Sequence, residues 1–242
     1  MNGLGWRVGW RIARRDLHRG FRGLRLLFIC LFLGVATLAA IGSLTAAITQ
    51  EIAARGRVIL GGDVEVAMTQ REASAPDKGS LAQLGTLSET IRMRAMAQPQ
   101  TEGGSPILVE LKGVDNAYPL FGALTLEQGR YAPLSPDRVL VGKALVERMG
   151  VKPGDRLRFG SASFTIGAII ADEPDRLGEG FTLGPVAIVS MEGLRRTGLI
   201  QPGSLYESKY RLRLPAGDDA GAVRKTLEKR FEARSWEYKD RD

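Results

Sequence analysis

Three regimes of hydrophobic and polar patterning follow one another along the chain. In residues 1–24, apolar side chains recur at Trp6, Trp10, Ala13, Leu17 and Phe21, steps of about 3.6 residues that set them on one stripe of a helix. Arg7, Arg11, Arg14, Arg15 and His18 fall on its other side. Residues 26–50 then hold no charged side chain. At about 1.5 Å per residue, a helix of that length crosses the roughly 30 Å hydrocarbon core of a bilayer, which predicts a transmembrane helix over 25–52. Beyond it the period shortens to two. Val64, Val66 and Met68 alternate with polar neighbours, as do Ile91, Met93, Ala95 and Ala97, then Ile107, Val109 and Leu111, and later Tyr210, Leu212 and Leu214. Each run predicts a half-buried strand, and the apolar runs 164–171 and 185–189 predict two more.

Short helices are expected near 80–84, 143–149 and 191–197, and a longer one over 218–234, where Asp218 and Asp219 suit the first turn. Residues 115–137, dense in Pro and Gly, read as irregular loop. Residues 236–242 read as a polar end with no element to dock, as in a fragment whose continuation is missing. Strands outnumber helices and do not alternate with them regularly. The expected fold class is therefore α+β, an N-terminal transmembrane helix followed by a mixed α/β domain.

The stretch 139–159, VLVGKALVERMGVKPGDRLRF, raises one chemical possibility. A phosphate-binding loop keeps a Gly-Lys pair at a helix start, with a glycine five residues before the Lys-side glycine and a hydroxyl after the Lys. Here Ala144 follows Lys143 and Asp137 stands where that first glycine belongs, so no nucleotide site is expected. The segment reads instead as a short strand, a two-turn helix packing through Ala144, Leu145 and Met149, a helix cap at Gly150 and a turn at Pro153-Gly154 that starts a strand carrying Leu157 and Phe159. A second cluster, Asp172, Glu173, Asp175 and Glu179, lacks calcium-loop spacing and is interrupted by Pro174 and Arg176. It reads as a solvated loop.

Charge and composition narrow the field further. Seven arginines against Asp16 give residues 1–25 a net +6 out of the whole-chain +7. The basicity belongs to the N-terminus, not to a groove for nucleic acid. Cys30 and His18 are the one cysteine and one histidine, so residues 50–242 have no thiol or imidazole for catalysis or zinc, and no G-x-S-x-G elbow is present. No enzyme activity, no metal site and no cofactor is expected on this chain. Arginines before the span and few after it place the N-terminus in the cytoplasm and the main domain outside, periplasmic in a Gram-negative cell. A cleaved signal peptide fits worse, because its basic and apolar regions would both be too long. Within the span, Ala39, Ser43 and Ala47 recur every four residues, as do Ala36 and Ala40, a face that allows close helix packing. The basic helix, with Trp6, Arg7, Trp10, Arg11, Arg14 and Arg15, suits the cytoplasmic leaflet. It reads equally as a docking surface for a cytoplasmic subunit or as a topology signal.

The run VGKALVERMGVKPGDRLRFGSASFTIGAII resembles the extracytoplasmic core domain of MacB/FtsX-type ABC transporter permeases. LGGDVEV after the span, LKGVDNAYPL, EPDR and TGLIQPGSL look similar to its long YbbP-like branch. The resemblance implies a two-lobed domain, with residues 56–104 and 204–242 forming a membrane-proximal lobe and 105–203 an inserted one. It implies an inner-membrane permease subunit, here its N-terminal part. Such a subunit transmits ATP-driven motion to its periplasmic domain, and ATP is bound by a separate cytoplasmic ABC ATPase. Membrane lipids, a second permease half and a periplasmic partner are the other implied partners, and lipids or other amphiphiles the implied cargo. The other class open to the sequence is a single-span, membrane-anchored periplasmic binding or adaptor protein.

Overall fold

The structure is a computed structural model that describes residues 3–100, 104–176, 184–231 and 236–241, with the side chains of 3–24 and 49–55 outside the described set. The helical regimes of the sequence are a single element, α1 (Gly3–Leu60). Its segment Arg25–Ile48 is long and apolar enough to cross a membrane, and its side chains are exposed. The chain divides into two units, residues 1–52 and 53–242.

In the second unit, elements follow in the order β1 (Val64–Thr69), α2 (Ala75–Ala82), β2 (Thr86–Pro99), β3 (Ile107–Val114), β4 (Thr125–Leu126), β5 (Arg138–Gly142), α3 (Lys143–Met149), β6 (Arg156–Phe159), β7 (Ala162–Asp172), β8 (Val186–Ser190), α4 (Met191–Arg196), β9 (Tyr206–Arg213), α5 (Ala220–Arg230) and β10 (Glu237–Asp240). The predicted strands are all present, and the class is α+β as expected. Differences are local. The helix predicted near 80–84 begins at Ala75, with Pro76 in its first turn, where a missing N–H costs nothing. In α3 it is Leu145 that is buried, with Val146 and Met149 packed beside it, whereas Ala144 is exposed. Gly150 caps that helix in the left-handed region.

The polar end is a correction. Residues 237–240 form β10, which pairs antiparallel with β1, Val66 opposite Tyr238. Trp236 and Tyr238 alternate with charged residues, so one face of this short strand packs beside Phe231 of the α5 end, ring centroids 4.3 Å apart for Phe231 and Trp236.

Among the described residues, the ten strands belong to one sheet. Part of it closes on itself. β2 pairs with β3, β3 with β8, β8 with β5, β5 with β7, β7 with β6, and β6 returns to the far end of β2. The six-stranded ring is filled by the inward side chains that alternation predicts, among them Ala95, Val109, Leu111, Val141, Leu157, Phe159, Phe164 and Val189. Phe159 and Phe164 meet edge to face at 5.8 Å, a preferred aromatic geometry. The near half of β2, residues 86–93, instead pairs with β9, which pairs with β1 and β1 with β10. This open extension has its own core, built from Val64, Val66, Leu81, Tyr210, Leu212, Leu227 and Trp236 beneath α2 and α5. Strand β2 therefore serves both cores.

Candidate functional site: a buried charge ladder beside the end of α1

Alternation along β1, β9 and β3 has a second consequence. While Val64, Val66, Tyr210, Leu212 and Leu111 face the cores, Glu65, Lys209, Arg211 and Lys112 share the opposite side of the strands. An open antiparallel sheet would turn that side to water. Here these four residues are 1–3% exposed. Two returning loops bring their partners. Glu173 and Asp175 arrive on the segment after β7, and Tyr118 on the loop after β3, where Asp115 fixes the turn by accepting from the N–H groups of Ala117 and Tyr118, both at 3.1 Å.

The geometry is that of a continuous chain of charges. Lys112 Nζ donates to Glu173 Oε1 at 2.6 Å and to Asp175 Oδ2 at 2.9 Å. The Tyr118 hydroxyl donates to Asp175 Oδ1 at 2.8 Å, and Lys112 lies 4.7 Å from the centre of its ring. Arg211 donates to Asp175 Oδ2 through Nη1 and to Glu65 Oε2 through Nε, the latter at 2.9 Å. Lys209 Nζ stands 3.5 Å from the other Glu65 oxygen. Further along, Arg92 on β2 sits between Glu110 at 3.2 Å and Glu207 at 3.3 Å.

At the near end, Asp63 joins three chain segments. It accepts from Leu214 N at 2.8 Å, pairs with Arg241 just past β10, and its Oδ1 lies 3.1 Å from Arg57 Nε in the last turns of α1. The turn from α1 into β1 fits tightly. Gly61 has φ +72, and a Cβ there would come within 3.1 Å of Arg211 and 3.3 Å of Asp175. Gly122, at φ +74, is held between Pro174 and Val58 of α1, where a Cβ would lie 2.6 Å from Pro174. The end of α1 thus touches both loops that carry the ladder.

Electrostatics follow from burial. Removal from water pushes the Asp175 carboxyl pKa up, but the charges of Lys112 and Arg211, with hydrogen bonds from Lys112 and Tyr118, outweigh that and hold it well below the usual carboxylate range. Tyr210, whose hydroxyl donates to Glu89 at 3.0 Å and accepts from Ala73 N, is pushed far above the ordinary phenol range by burial and then by Glu89. Charges so closely matched tie segments together. They do not present an open coordination site, and among the described residues no three His, Cys, Asp or Glu side chains are grouped to hold a metal ion.

The ladder corrects one reading of the sequence. Residues 172–175 are not a solvated loop: Asp172 is exposed, but Glu173 and Asp175 are 7% and 1% exposed. Glu179 lies outside the described residues. The signal available was Pro174, which stiffens the loop, and the surplus of charges of both signs on strands whose other faces were plainly core. The candidate packing residues Ala36, Ala39, Ala40, Ser43 and Ala47 all lie in α1 and are exposed, with the Ser43 hydroxyl donating to Ala40 O at 3.1 Å. Trp6, Arg7, Trp10, Arg11, Arg14 and Arg15 lie on the helical backbone of α1, and their side chains fall outside the described residues.

Comparison with known proteins gives a consistent picture. The model of the MacB-like periplasmic core domain matches residues 26–230. Over 188 residues the chain is 24% identical to the ABC transporter permease YbbP of Escherichia coli (strain K12), covering 78% of this chain and 23% of that protein. The chain thus spans about a quarter of that relative's length. The periplasmic region of MacB from Actinobacillus actinomycetemcomitans superposes with a TM-score of 0.51 at 12% identity, over 77% of this chain and 92% of that one. The extracellular domain of the ABC-type transporter YknZ from Gram-positive bacteria gives 0.50 at 10% identity, over 73% and 98%. At such identities these two share the fold.

Proposed function

The chain belongs to the family of MacB-like periplasmic core domains, and from that premise we propose that it is the N-terminal part of an ABC transporter permease in the inner membrane. In this reading the basic end of α1 lies in the cytoplasm and meets a separate ATPase subunit, which binds the ATP. The segment Arg25–Ile48 crosses the bilayer and packs through its small-residue face on further helices, including a second permease half. The unit from residue 53 onward is periplasmic, with residues 56–104 and 204–242 as the membrane-proximal lobe and 105–203 as the inserted lobe. The core of Val64, Val66, Tyr210, Leu212 and Trp236, drawn wholly from residues 56–104 and 204–242, supports that division, and the ring core joins β2 of that lobe to residues 105–203. Cargo is a lipid or other amphiphile.

The observation that carries the proposal is the joint. Helix α1 ends on Asp63 and Gly61, beside loops fixed to the sheet by buried ion pairs. A displacement of α1 reaches the two loops through Val58, packed at Gly122 beside Pro174, and the loops are held to the sheet by buried pairs, in which removing one partner costs about 3–5 kcal/mol. That suits a domain that is moved rather than one that takes part in chemistry.

The test uses the full-length protein in nanodiscs with the ATPase subunit that co-purifies with it. Inserting two glycines after Leu60 should leave the complex assembled and ATP turnover present while abolishing transport. If no ATPase binds or is stimulated, the permease reading fails. If the insertion leaves transport intact, the joint is not the transmitting element.

A further inference from the structure

The outer face of the ring carries a pocket beside β5 and β7. Alternation along β5 sends Val139 and Val141 into the ring and Leu140 outward, onto a cluster with Ile170, Tyr131 and Leu134. On β7 the register shifts between Ile166, opposite Val139, and Ala168, opposite Leu140, so Gly167 is the extra residue of a bulge. Residues 125–135 return to this face. β4 pairs with β7, and Glu127 N extends that pairing by donating to Ile169 O at 2.9 Å. The returning loop and the bulge enclose a pocket of about 380 Å³, within the size range of small-ligand sites. Leu140, Gly167 and Ala168 line it from the sheet, and Tyr131 and Leu134 from the loop. A Cβ on Gly167 would meet nothing nearer than Arg138 Cδ at 3.6 Å, so there is space over the bulge beside that side chain.

Charge decides what this pocket takes. Arg130 and Arg138 line it and no Asp or Glu does, a net +2 over its lining. Neither arginine takes part in an ion pair found among the described residues. Glu127 and Asp137 are the nearest acids in sequence, and neither lines the pocket. On extended chain Glu127 points to the side opposite Leu126 and Gln128, which do line it. In the buried ladder each cation is set against a carboxylate, whereas here two guanidiniums share a pocket with none. Gln128 and Ser135 add an amide and a hydroxyl. Tyr131 brings its ring alone, because its hydroxyl is closed off from solvent. A guanidinium fits phosphate oxygens through paired hydrogen bonds. Two of them match a dianion, while a carboxylate or a phosphodiester would leave one charge unanswered. A bare phosphate would leave the apolar side chains wet, and an organic group would cover them.

We propose that this pocket binds a phosphate monoester, its phosphate held by Arg130 and Arg138 and its organic part lying over Leu140 and the Gly167 bulge. The site is on this chain and needs no ATPase subunit, so this proposal and the permease reading fail separately.

The test is isothermal titration calorimetry of hexyl phosphate on the full chain in maltoside detergent at about pH 8, where the monoester is a dianion. Binding should weaken at least about tenfold in Arg130→Gln and in Arg138→Gln. Both side chains are exposed, so the unfolding midpoints of these variants should match the parent. Hexyl sulfate, the same body with a single charge, should bind about tenfold more weakly, as should inorganic phosphate, which lacks the body. Gly167→Val, which fills the space over the bulge, should also weaken hexyl phosphate. Nanodiscs containing phosphatidic acid distinguish the source of the ligand. Displacement of hexyl phosphate by them supports a lipid headgroup as the monoester, and failure to displace it supports a soluble one. The proposal is overturned if hexyl phosphate does not bind, if it binds both arginine variants as tightly as the parent, or if hexyl sulfate binds equally well.

Discussion

Replacing Asp175 by Asn is the sharpest probe of the buried ladder. The change keeps shape and removes one negative charge. Asp175 accepts from Tyr118 at 2.8 Å and Lys112 at 2.9 Å, and also from Arg211. The Lys112 and Asp175 side chains are each 1% exposed. An exposed pair would contribute about 0–1 kcal/mol. This one belongs with buried pairs, where stranding a partner costs about 3–5 kcal/mol. In Asp175→Asn the one remaining oxygen can still accept from Lys112 and Arg211, with the NH2 turned to the Tyr118 hydroxyl, but the negative charge set between the two buried cations is lost. At about 2–4 °C per kcal/mol for a unit of this size, the midpoint should fall by roughly 6–20 °C. The assay is urea and thermal unfolding of the detergent-solubilised chain with Trp6 and Trp10 replaced by Phe, so that fluorescence reports Trp236 packed on Phe231. Asp172→Asn, on the same segment but exposed, should change stability by less than about 0.5 kcal/mol. The double change Lys112→Met with Asp175→Asn should cost less than the sum of the two single changes, because the two residues share one buried ion pair. A cost below about 1 kcal/mol for Asp175→Asn would refute the reasoning, because the cluster would then behave as solvated. Strict additivity of the two single changes would refute the pairing.

Three further outcomes follow from the same geometry. Because the Asp175 pKa is lowered by folding, its contribution is complete above the unfolded carboxylate value of about 3.9 and is lost as pH falls below it; unfolding midpoints should drop steeply below about pH 4 in the parent and less steeply in Asp175→Asn. Gly122→Val should destabilise by about 2 kcal/mol or more through its left-handed backbone and the approach to Pro174 and Val58, and unchanged urea midpoints would count against the tight α1 joint. Asp219→Ala should remove the cap that accepts from Gly221 N at 2.9 Å, lowering stability by about 1 kcal/mol in the same urea assay.

The period-two runs were sufficient to place β1, β2, β3 and β9 and to say which side chains fill the cores, because that information is local. Fold class was legible for the same reason. The charge ladder was not. Glu65, Lys112, Lys209 and Arg211 occupy the positions that alternation assigns to water, and only the return of residues 118 and 173–175 covers them. Nothing within a few residues of Lys112 announces a partner sixty residues downstream. Closure of the six-stranded ring is equally non-local, since it depends on β6 meeting the far end of β2. By contrast β10 was readable: Trp236 and Tyr238 alternate with charges, but four residues make a weak signal next to a run of polar ones.

The double service of β2 bears on how the domain is made. Its inner edge can pair with β3 at once, across a hairpin. Its other edge waits for β9, Met93 meeting Tyr206, so residues 94–205 must be synthesised and delivered before that edge is covered. Pairings of such sequence separation form slowly, and an unpaired strand edge invites association with other chains. During biogenesis this unit should therefore pass through a state in which the ring has begun to form and β2 still offers an open edge. The interval between emergence of β2 and arrival of β9 is when the chain has most need of a chaperone.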